Sequence, residues 1–282
     1  MVELRMKFSN LFRTTLLTVS AGLGTLAFCT SANAATFVDI ELSLLVDVSG
    51  TIDDDEFDLQ KQGYVDVFSN ASLFNNFISK GKEGKIAVNL IYWSGAKQQE
   101  QVVDWTLIDS AQASEDFANA INATIRDFRG FTAPGSAISV ATPLFSNNGF
   151  NGERQVIDIS GDGDQNSGLD TATARDNALS SGIDAINGIV IGDSSSLKAF
   201  YQNNVIGGVN ADGTPAFVVQ ANTFEEFGTA IDNKIKAEIT INPPTTSIPE
   251  PASIFGLLAV GAFGATSAAK RKYKTIVSSN KN

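Results

Sequence analysis

The chain has 282 residues, with 20 Lys or Arg, 31 Asp or Glu, no His and a single cysteine, Cys29, and its formal net charge is −11. The lack of histidine, and of cysteine beyond position 29, excludes Ser-His-Asp and Cys-His catalysis and any zinc site built from His or Cys, which leaves oxygen ligands for a metal. Residues 35–248 carry 12 basic and 29 acidic side chains, a net charge of −17, which disfavours nucleic acid as a partner because phosphate contacts need clustered positive charge.

The first 34 residues have the pattern of a secretory signal. Basic residues lead into an apolar stretch, Leu16–Phe28, and small residues up to Ala34 follow it. A retained membrane anchor is the alternative, but the stretch is shorter than the roughly 20 residues that a spanning helix needs. Bulky Phe28 before Cys29 argues against a lipoprotein. We therefore predict export across the inner membrane and cleavage after Ala34.

Apolar runs alternate with amphipathic stretches from residue 37 to residue 241. Candidate strands are Val38–Val46, Lys85–Trp93, Val102–Leu107, Arg154–Ser160, Ile183–Ile191 and Ala216–Gln220. Candidate helices are Asp54–Ser69, Ser114–Phe128, Gly135–Ser146, Asp170–Ser181, Ser195–Asn203 and Thr223–Glu238. The alternation predicts one three-layer, doubly wound α/β domain over residues 35–241 with a mostly parallel sheet. The most apolar strands should be covered by helices on both faces.

The character of the chain changes after residue 241. Residues 242–248 contain two prolines and read as an extended linker. Pro249-Glu250-Pro251 then leads into the uncharged stretch 252–269, a basic group at 270–274 and a polar tail at 275–282. An ordinary transmembrane helix with its basic end in the cytoplasm is one interpretation. The order of parts in 249–274 also resembles the PEP-CTERM sorting signal, which implies membrane attachment followed by processing by an exosortase.

Hydroxyl and carboxylate residues follow the first long strand. Asp47, Ser49 and Thr51 alternate along a turn at what should be the carboxyl end of a parallel strand, the edge at which open α/β folds bind ligands. We expect this turn to be a surface loop. Aspartate and serine at such a place can also be simple turn formers and helix caps.

The pattern resembles the Asp-x-Ser-x-Ser motif of the metal-ion-dependent adhesion site (MIDAS) of von Willebrand factor A (VWA) domains, with Thr51 in the last position. That resemblance implies a threonine from a second loop and an aspartate after a later strand. Thr132 in 130–137 and Asp162 after Arg154–Ser160 match these positions. Further segments, including Trp93-Ser94-Gly95, are similar to a bacterial branch of the superfamily that is catalogued as a domain of unknown function. The implied ligands are Asp47, Ser49, Thr51, Thr132 and Asp162.

Such a set of hydroxyls and carboxylates suits Mg²⁺, with Ca²⁺ or Mn²⁺ as alternatives. Residues 162–166 also resemble the start of an EF-hand loop, but Ser167 and Thr173 stand where that loop needs glycine and glutamate. Asp164 and Asn166 are then extra polar groups near the metal or turn residues.

The resemblance to VWA domains implies a binding protein rather than an enzyme. The resemblance to the PEP-CTERM signal implies a location at the cell surface, in the outer envelope or in the extracellular matrix. Its partner would be a carboxylate-bearing protein or an acidic exopolysaccharide. A metal-dependent hydrolase is one alternative, with Asp158 or Asp164 as general base. A structural matrix component with a degenerate site is another.

Overall fold

The computed structural model describes residues 34–240. Its strands are β1 (Thr36–Val38), β2 (Glu41–Asp47), β3 (Ile86–Trp93), β4 (Gln99–Ile108), β5 (Phe150–Gly152), β6 (Gln155–Gly161), β7 (Ala185–Ile191), β8 (Gly207–Gly208) and β9 (Val218–Ala221). Its α-helices are α1 (Asp54–Ser69), α2 (Ala71–Asn76), α3 (Ala111–Asn122), α4 (Pro134–Ala141), α5 (Thr171–Ser180), α6 (Ser195–Phe200) and α7 (Phe224–Thr240). Short 3₁₀ turns follow α2 and α4, and a π-helical turn, Tyr201–Val205, follows α6.

Several predicted segments lie outside the described residues. These are the export signal up to residue 33, the linker at 242–248, the sorting segment at 249–274 and the polar tail at 275–282. Between residues 34 and 240, no helix combines the length and the apolar character needed to cross a membrane.

Seven strands form the main sheet, in the spatial order β4-β3-β2-β6-β7, with β8 and β9 pairing along the free side of β7. All but β4 and β8 run parallel. The chain leaves β2 toward β3 on one side and leaves β6 toward β7 on the other. A crevice therefore opens between the carboxyl ends of β2 and β6, which is where open α/β sheets bind ligands.

Helices cover both faces of the sheet. Leu42, Leu44 and Val46 of β2 pack with α1, α2, α3 and α7 in one hydrophobic cluster. Leu45 points to the opposite face and packs with α4, α5 and α6 in a second cluster. This alternation along a fully buried strand is the period of two expected of a β-strand. The predicted three-layer, mostly parallel α/β fold is confirmed.

The largest differences from the predicted elements are at three places. Helix α3 ends at Asn122 rather than at Phe128, because the side chain of Arg126 is bonded to backbone carbonyls of the loop after β2. The predicted helix over Gly135–Ser146 tightens to a 3₁₀ turn from Thr142. The predicted strand Val38–Val46 is two strands, because Asp39 between them accepts hydrogen bonds from backbone N–H groups at Glu83 and Lys85.

A buried charged group joins α7 to the sheet. The Lys234 ammonium lies 2.7 Å from a carboxylate oxygen of Asp158 on β6 and 2.7 Å from one of Glu238 on its own helix. Asn187 of β7 donates a hydrogen bond of 2.9 Å to Glu238. Burial raises the pKa of Glu238, and the neighbouring Lys234 partly offsets this rise. The charges of this group therefore depend on one another.

We expect Lys234→Met to destabilise the domain by about 3–5 kcal/mol, because it leaves two buried carboxylates without a cation. Urea unfolding of the variant and the parent measures the difference in free energy. Lys236→Met is the matched control, since Lys236 pairs with Asp232 at the surface of the same helix and should change stability by no more than about 1 kcal/mol. Equal losses in the two variants would contradict the prediction.

Candidate metal centre

The turn after β2 carries three of the predicted ligands. Asp47 ends the strand, and its Oδ1 accepts a hydrogen bond of 2.7 Å from the backbone N–H of Ser49. This turn leaves the hydroxyl oxygens of Ser49 and Thr51 3.2 Å apart. The expectation that Asp47 belongs to a surface loop is wrong. Its side chain is fully buried, because β2 extends one residue beyond the predicted end and pairs Asp47 with Trp93 of β3.

Asp162 reaches the same place from the neighbouring strand. β6 runs parallel to β2, with Ser160 in register with Val46, so the residues after both strands lie side by side. The Thr51 hydroxyl donates a hydrogen bond of 2.8 Å to Oδ1 of Asp162. The backbone N–H of Ser49 and the hydroxyls of Ser49 and Thr51 thus link the two predicted carboxylates.

Thr132 comes from the loop between α3 and α4. Its N–H donates to Oδ1 of Asn166 at 2.8 Å, and its carbonyl accepts from the N–H of Asn166 at 3.0 Å. Its hydroxyl lies against Gly163, where a Cβ would stand 3.4 Å from the Thr132 Oγ1. Because Gly163 directly follows Asp162, Thr132 adjoins the other predicted ligands. The structure brings all five together at the carboxyl edge of the sheet.

Two side chains that the sequence did not single out hold these loops in place. The Arg126 guanidinium donates four hydrogen bonds of 2.6–3.2 Å to backbone carbonyls of the turn after β2. Ser94, at the end of β3, accepts from the N–H of Gly130 at 2.6 Å and donates to the carbonyl of Phe131 at 3.1 Å. In the sequence, Ser94 was noted only as part of the family-like segment Trp93-Ser94-Gly95. Nothing in the sequence indicated a role for Arg126, because it lies inside the predicted helix Ser114–Phe128.

Other features of the region have structural explanations. Asp53 and Glu56 exchange hydrogen bonds with each other's backbone N–H groups and so cap α1. Asp164 is exposed, whereas Asn166 fixes the backbone of Thr132. Of the two residues Asp164 and Asn166, only Asn166 therefore supports the site, through its side-chain amide.

The electrostatics of the site centre on Asp47. Its Oδ2 is buried and has no hydrogen-bond partner within residues 34–240. Burial, followed by the negative charge of Asp162, raises the pKa of Asp47 to about 8. Burial also raises the pKa of Asp162, and the hydrogen bond from Thr51 offsets part of that rise. Two carboxyl groups are therefore held together under conditions that oppose their ionisation.

These residues fit a small divalent cation. A buried carboxylate oxygen without a partner costs free energy in the absence of a cation. Hydroxyl and carboxylate oxygens are the ligands that Mg²⁺ prefers. Between residues 34 and 240 no three Asp or Glu side chains cluster closely enough to hold an ion by themselves. The candidate donors are accordingly mixed, and they are Asp47, Ser49, Thr51, Thr132 and Asp162.

The raised pKa of Asp47 predicts a pH dependence. A metal ligand must be deprotonated, so we expect Mg²⁺ affinity to rise as the pH increases toward about 8, by up to about tenfold per unit. Without metal the sign is opposite: the folded state holds a proton that the unfolded state has lost, so stability falls as the pH rises between 3.8 and about 8. Calorimetric Mg²⁺ titrations between pH 6 and pH 9, together with urea unfolding in EDTA, check both trends. A constant affinity from pH 6 to pH 8 would contradict this prediction.

The surroundings of the candidate site are asymmetric. A cleft of about 550 Å³ shares Asp162 with the site and continues between α1 and the start of α7. Its lining includes five carboxylates and no Lys or Arg: Asp53, Asp55, Glu56, Asp162 and Glu225. Next to Thr132, the residue Phe131 is 69% exposed, and the Ser94 hydroxyl donates a hydrogen bond to the Phe131 carbonyl.

Residues 37–243 match the profile of a family described as a protein of unknown function, DUF1194. The chain belongs to the DUF1194 family. Residues 247–272 match the PEP-CTERM protein-sorting motif, which indicates export to the cell surface or the extracellular space. A search of curated proteins returned no match.

Solved structures with a similar fold include proximal thread matrix protein 1 from the mussel byssus. One of its structures has a TM-score of 0.51 at 17% identity, over 72% of this chain and 47% of the mussel chain. Another, with a zinc-occupied MIDAS motif, has a TM-score of 0.53 at 16% identity, over 71% and 48%. The chain thus spans about half the length of these relatives. The likeness shows that the DUF1194 domain has a VWA-like fold.

Proposed function

We propose that this DUF1194 protein is an exported binding protein that uses a divalent cation, Mg²⁺ in the first place, to hold a carboxylate of its partner. Asp47, Ser49, Thr51, Thr132 and Asp162 would provide the oxygen ligands, directly or through water. A bound ion would supply an electrophilic position that accepts a carboxylate oxygen from outside. The mussel structure with zinc in its MIDAS motif supports a divalent ion in this fold.

The observation that carries the proposal is the state of Asp47 and its neighbours. A fully buried carboxylate oxygen with no partner among residues 34–240 lies in the same region as hydroxyls from two separate loops and a second carboxyl group directly after β6. Arg126 and Ser94 hold both loops through side-chain to backbone hydrogen bonds. This arrangement disfavours the metal-free state and is maintained by dedicated contacts. Both properties are expected of a preorganised cation site.

The surroundings favour a protein as the partner over an acidic polysaccharide. A polymer with a carboxylate on every repeat would bring further negative charge toward the acidic cleft beside Asp162. A protein segment can present one carboxylate with an apolar side chain toward Phe131 and a basic side chain toward the cleft. Charge complementarity of this kind selects among partners.

A hydrolase is the less favoured candidate. Asp158, one of the two general bases that the sequence suggested, is buried in the core and paired with Lys234. It is therefore not free to take a proton from water. Asp164 is exposed beside the site, so turnover assays with phosphoesters and glycans are the direct test of this alternative.

The C-terminal segment supports attachment followed by release. In our proposal the apolar stretch 252–269 holds the exported chain at the membrane until an exosortase removes it, and the domain then functions in the outer envelope or extracellular matrix. A structural matrix component with a degenerate site would share this route but would bind no ion.

The experiment that tests the proposal is a pull-down from the native envelope with the purified protein as bait, in Mg²⁺ and in EDTA. Proteins captured only in Mg²⁺ would support it, particularly if acidic peptides compete for them. A parallel titration with Mg²⁺, Ca²⁺ and Mn²⁺ separates a functional site from a degenerate one. Capture that is identical in both buffers, or a chain that binds none of the three ions, would refute it.

A further inference from the structure

Tyr201 lies beneath the candidate metal centre, although it belongs to none of the loops that form it. It begins the π-helical turn after α6, and its side chain is completely buried. Its hydroxyl has no hydrogen-bond partner in the described part of the chain. Single π-helical turns often mark functional sites, and a buried hydroxyl without a partner costs about 1–3 kcal/mol. Phenylalanine would avoid that cost.

Two glycines make room for this side chain. A Cβ on Gly188 of β7 would stand 2.9 Å from Cδ1 of the Tyr201 ring. A Cβ on Gly161, the last residue of β6, would stand 2.4 Å from the Tyr201 hydroxyl oxygen and 2.8 Å from Oδ2 of Asp47. The hydroxyl and the carboxylate oxygen without a partner therefore face the same glycine from two directions. No side chain could occupy position 161 without displacing one of them.

We propose that Tyr201 is a positioning residue of the metal centre, whose hydroxyl donates a hydrogen bond to the Asp47 carboxylate when the cation is bound and so fixes its orientation. The inference rests on the proposed function, since it assigns Tyr201 to that same site. A tyrosine hydroxyl is protonated at neutral pH and can donate such a bond. Within residues 34–240, two buried oxygens without partners therefore lie against the same glycine, where each can serve as the other's hydrogen-bond partner.

The test is Tyr201→Phe in the full-length chain, purified in detergent and titrated with Mg²⁺ by calorimetry. We expect affinity to fall about 10–100-fold, the usual effect of removing a partner of a metal ligand. Thermal unfolding of the metal-free protein should stay unchanged or shift upward, because the variant removes only a buried hydroxyl.

Tyr64→Phe is the matched control. Tyr64 is also fully buried, but its hydroxyl lies 3.5 Å from the Ser160 hydroxyl on the other face of the sheet. This variant should bind Mg²⁺ as the parent does. Parental affinity in Tyr201→Phe, or an equal loss in both variants, would overturn the role of Tyr201 while leaving the metal site in place. A parent chain that binds no divalent ion would overturn both the role and the proposed function.

Discussion

Asp47→Ala should lower Mg²⁺ affinity more than about 100-fold. Removing a residue that only hydrogen-bonds to a metal ligand already costs about 10–100-fold in affinity, and the loss of a ligand itself should cost more. The metal-free domain should remain folded. The substitution removes the acceptor of the Ser49 N–H bond, but it also removes a buried carboxyl group whose Oδ2 has no partner in residues 34–240. These two effects on stability oppose each other. Calorimetric titration and urea unfolding of the same preparation measure affinity and stability separately.

Asp164→Ala is the control for this variant. Asp164 is an exposed aspartate two residues beyond Asp162, so the same substitution there removes a carboxyl group and leaves the candidate donors intact. We expect its Mg²⁺ affinity to stay within about twofold of the parent, since substitutions at exposed positions are usually worth no more than about 0.5 kcal/mol. If Asp47→Ala retained the affinity of Asp164→Ala, the assignment of the metal ligands would be wrong.

The sequence predicted those parts of the fold that depend on local hydrophobic pattern. Strands buried on both faces, such as β2 and β7, give mostly apolar runs, and the helices between them give amphipathic ones. The ends of β2 and β6 then located Asp47 and Asp162 at one edge, since parallel strands of one sheet end on the same side. The short pair β1 and β5 was missed because three-residue strands carry too little pattern to be distinguished from loops.

The parts of the candidate site that could not be predicted depend on long-range contacts. Arg126 lies 77 positions from Ser49, whose carbonyl it binds, and nothing local separates it from an ordinary helical arginine. Tyr201 lies in a segment that reads as a plain amphipathic helix, and its relation to Asp47 exists only through the packing of β6 and β7. Lys234 lies within the predicted helix Thr223–Glu238, and nothing local shows that it is fully buried and paired with Asp158 and Glu238.

Binding of the captured partner should be lost in EDTA. The net charge of −17 on residues 35–248 and the acidic cleft repel a carboxylate at long range, so its attachment requires a local inversion of charge. Surface plasmon resonance with the partner recovered from the envelope, in Mg²⁺ and then in EDTA, measures this loss. We expect an affinity at least about 100-fold weaker in EDTA, which corresponds to about 2.7 kcal/mol.

Salt and Thr132→Ala distinguish a direct bond to the cation from a general charge effect. Added salt screens the long-range repulsion but screens a short, partly buried contact much less, so binding in Mg²⁺ should change little or strengthen between about 0.05 and 0.3 M salt. Thr132→Ala should weaken the partner more than it weakens the fold, because Asn166 holds the backbone of the loop without the hydroxyl. A partner that binds equally well in Mg²⁺ and in EDTA does not use the metal, and the adhesion-type mechanism would then be wrong even if the ion itself binds.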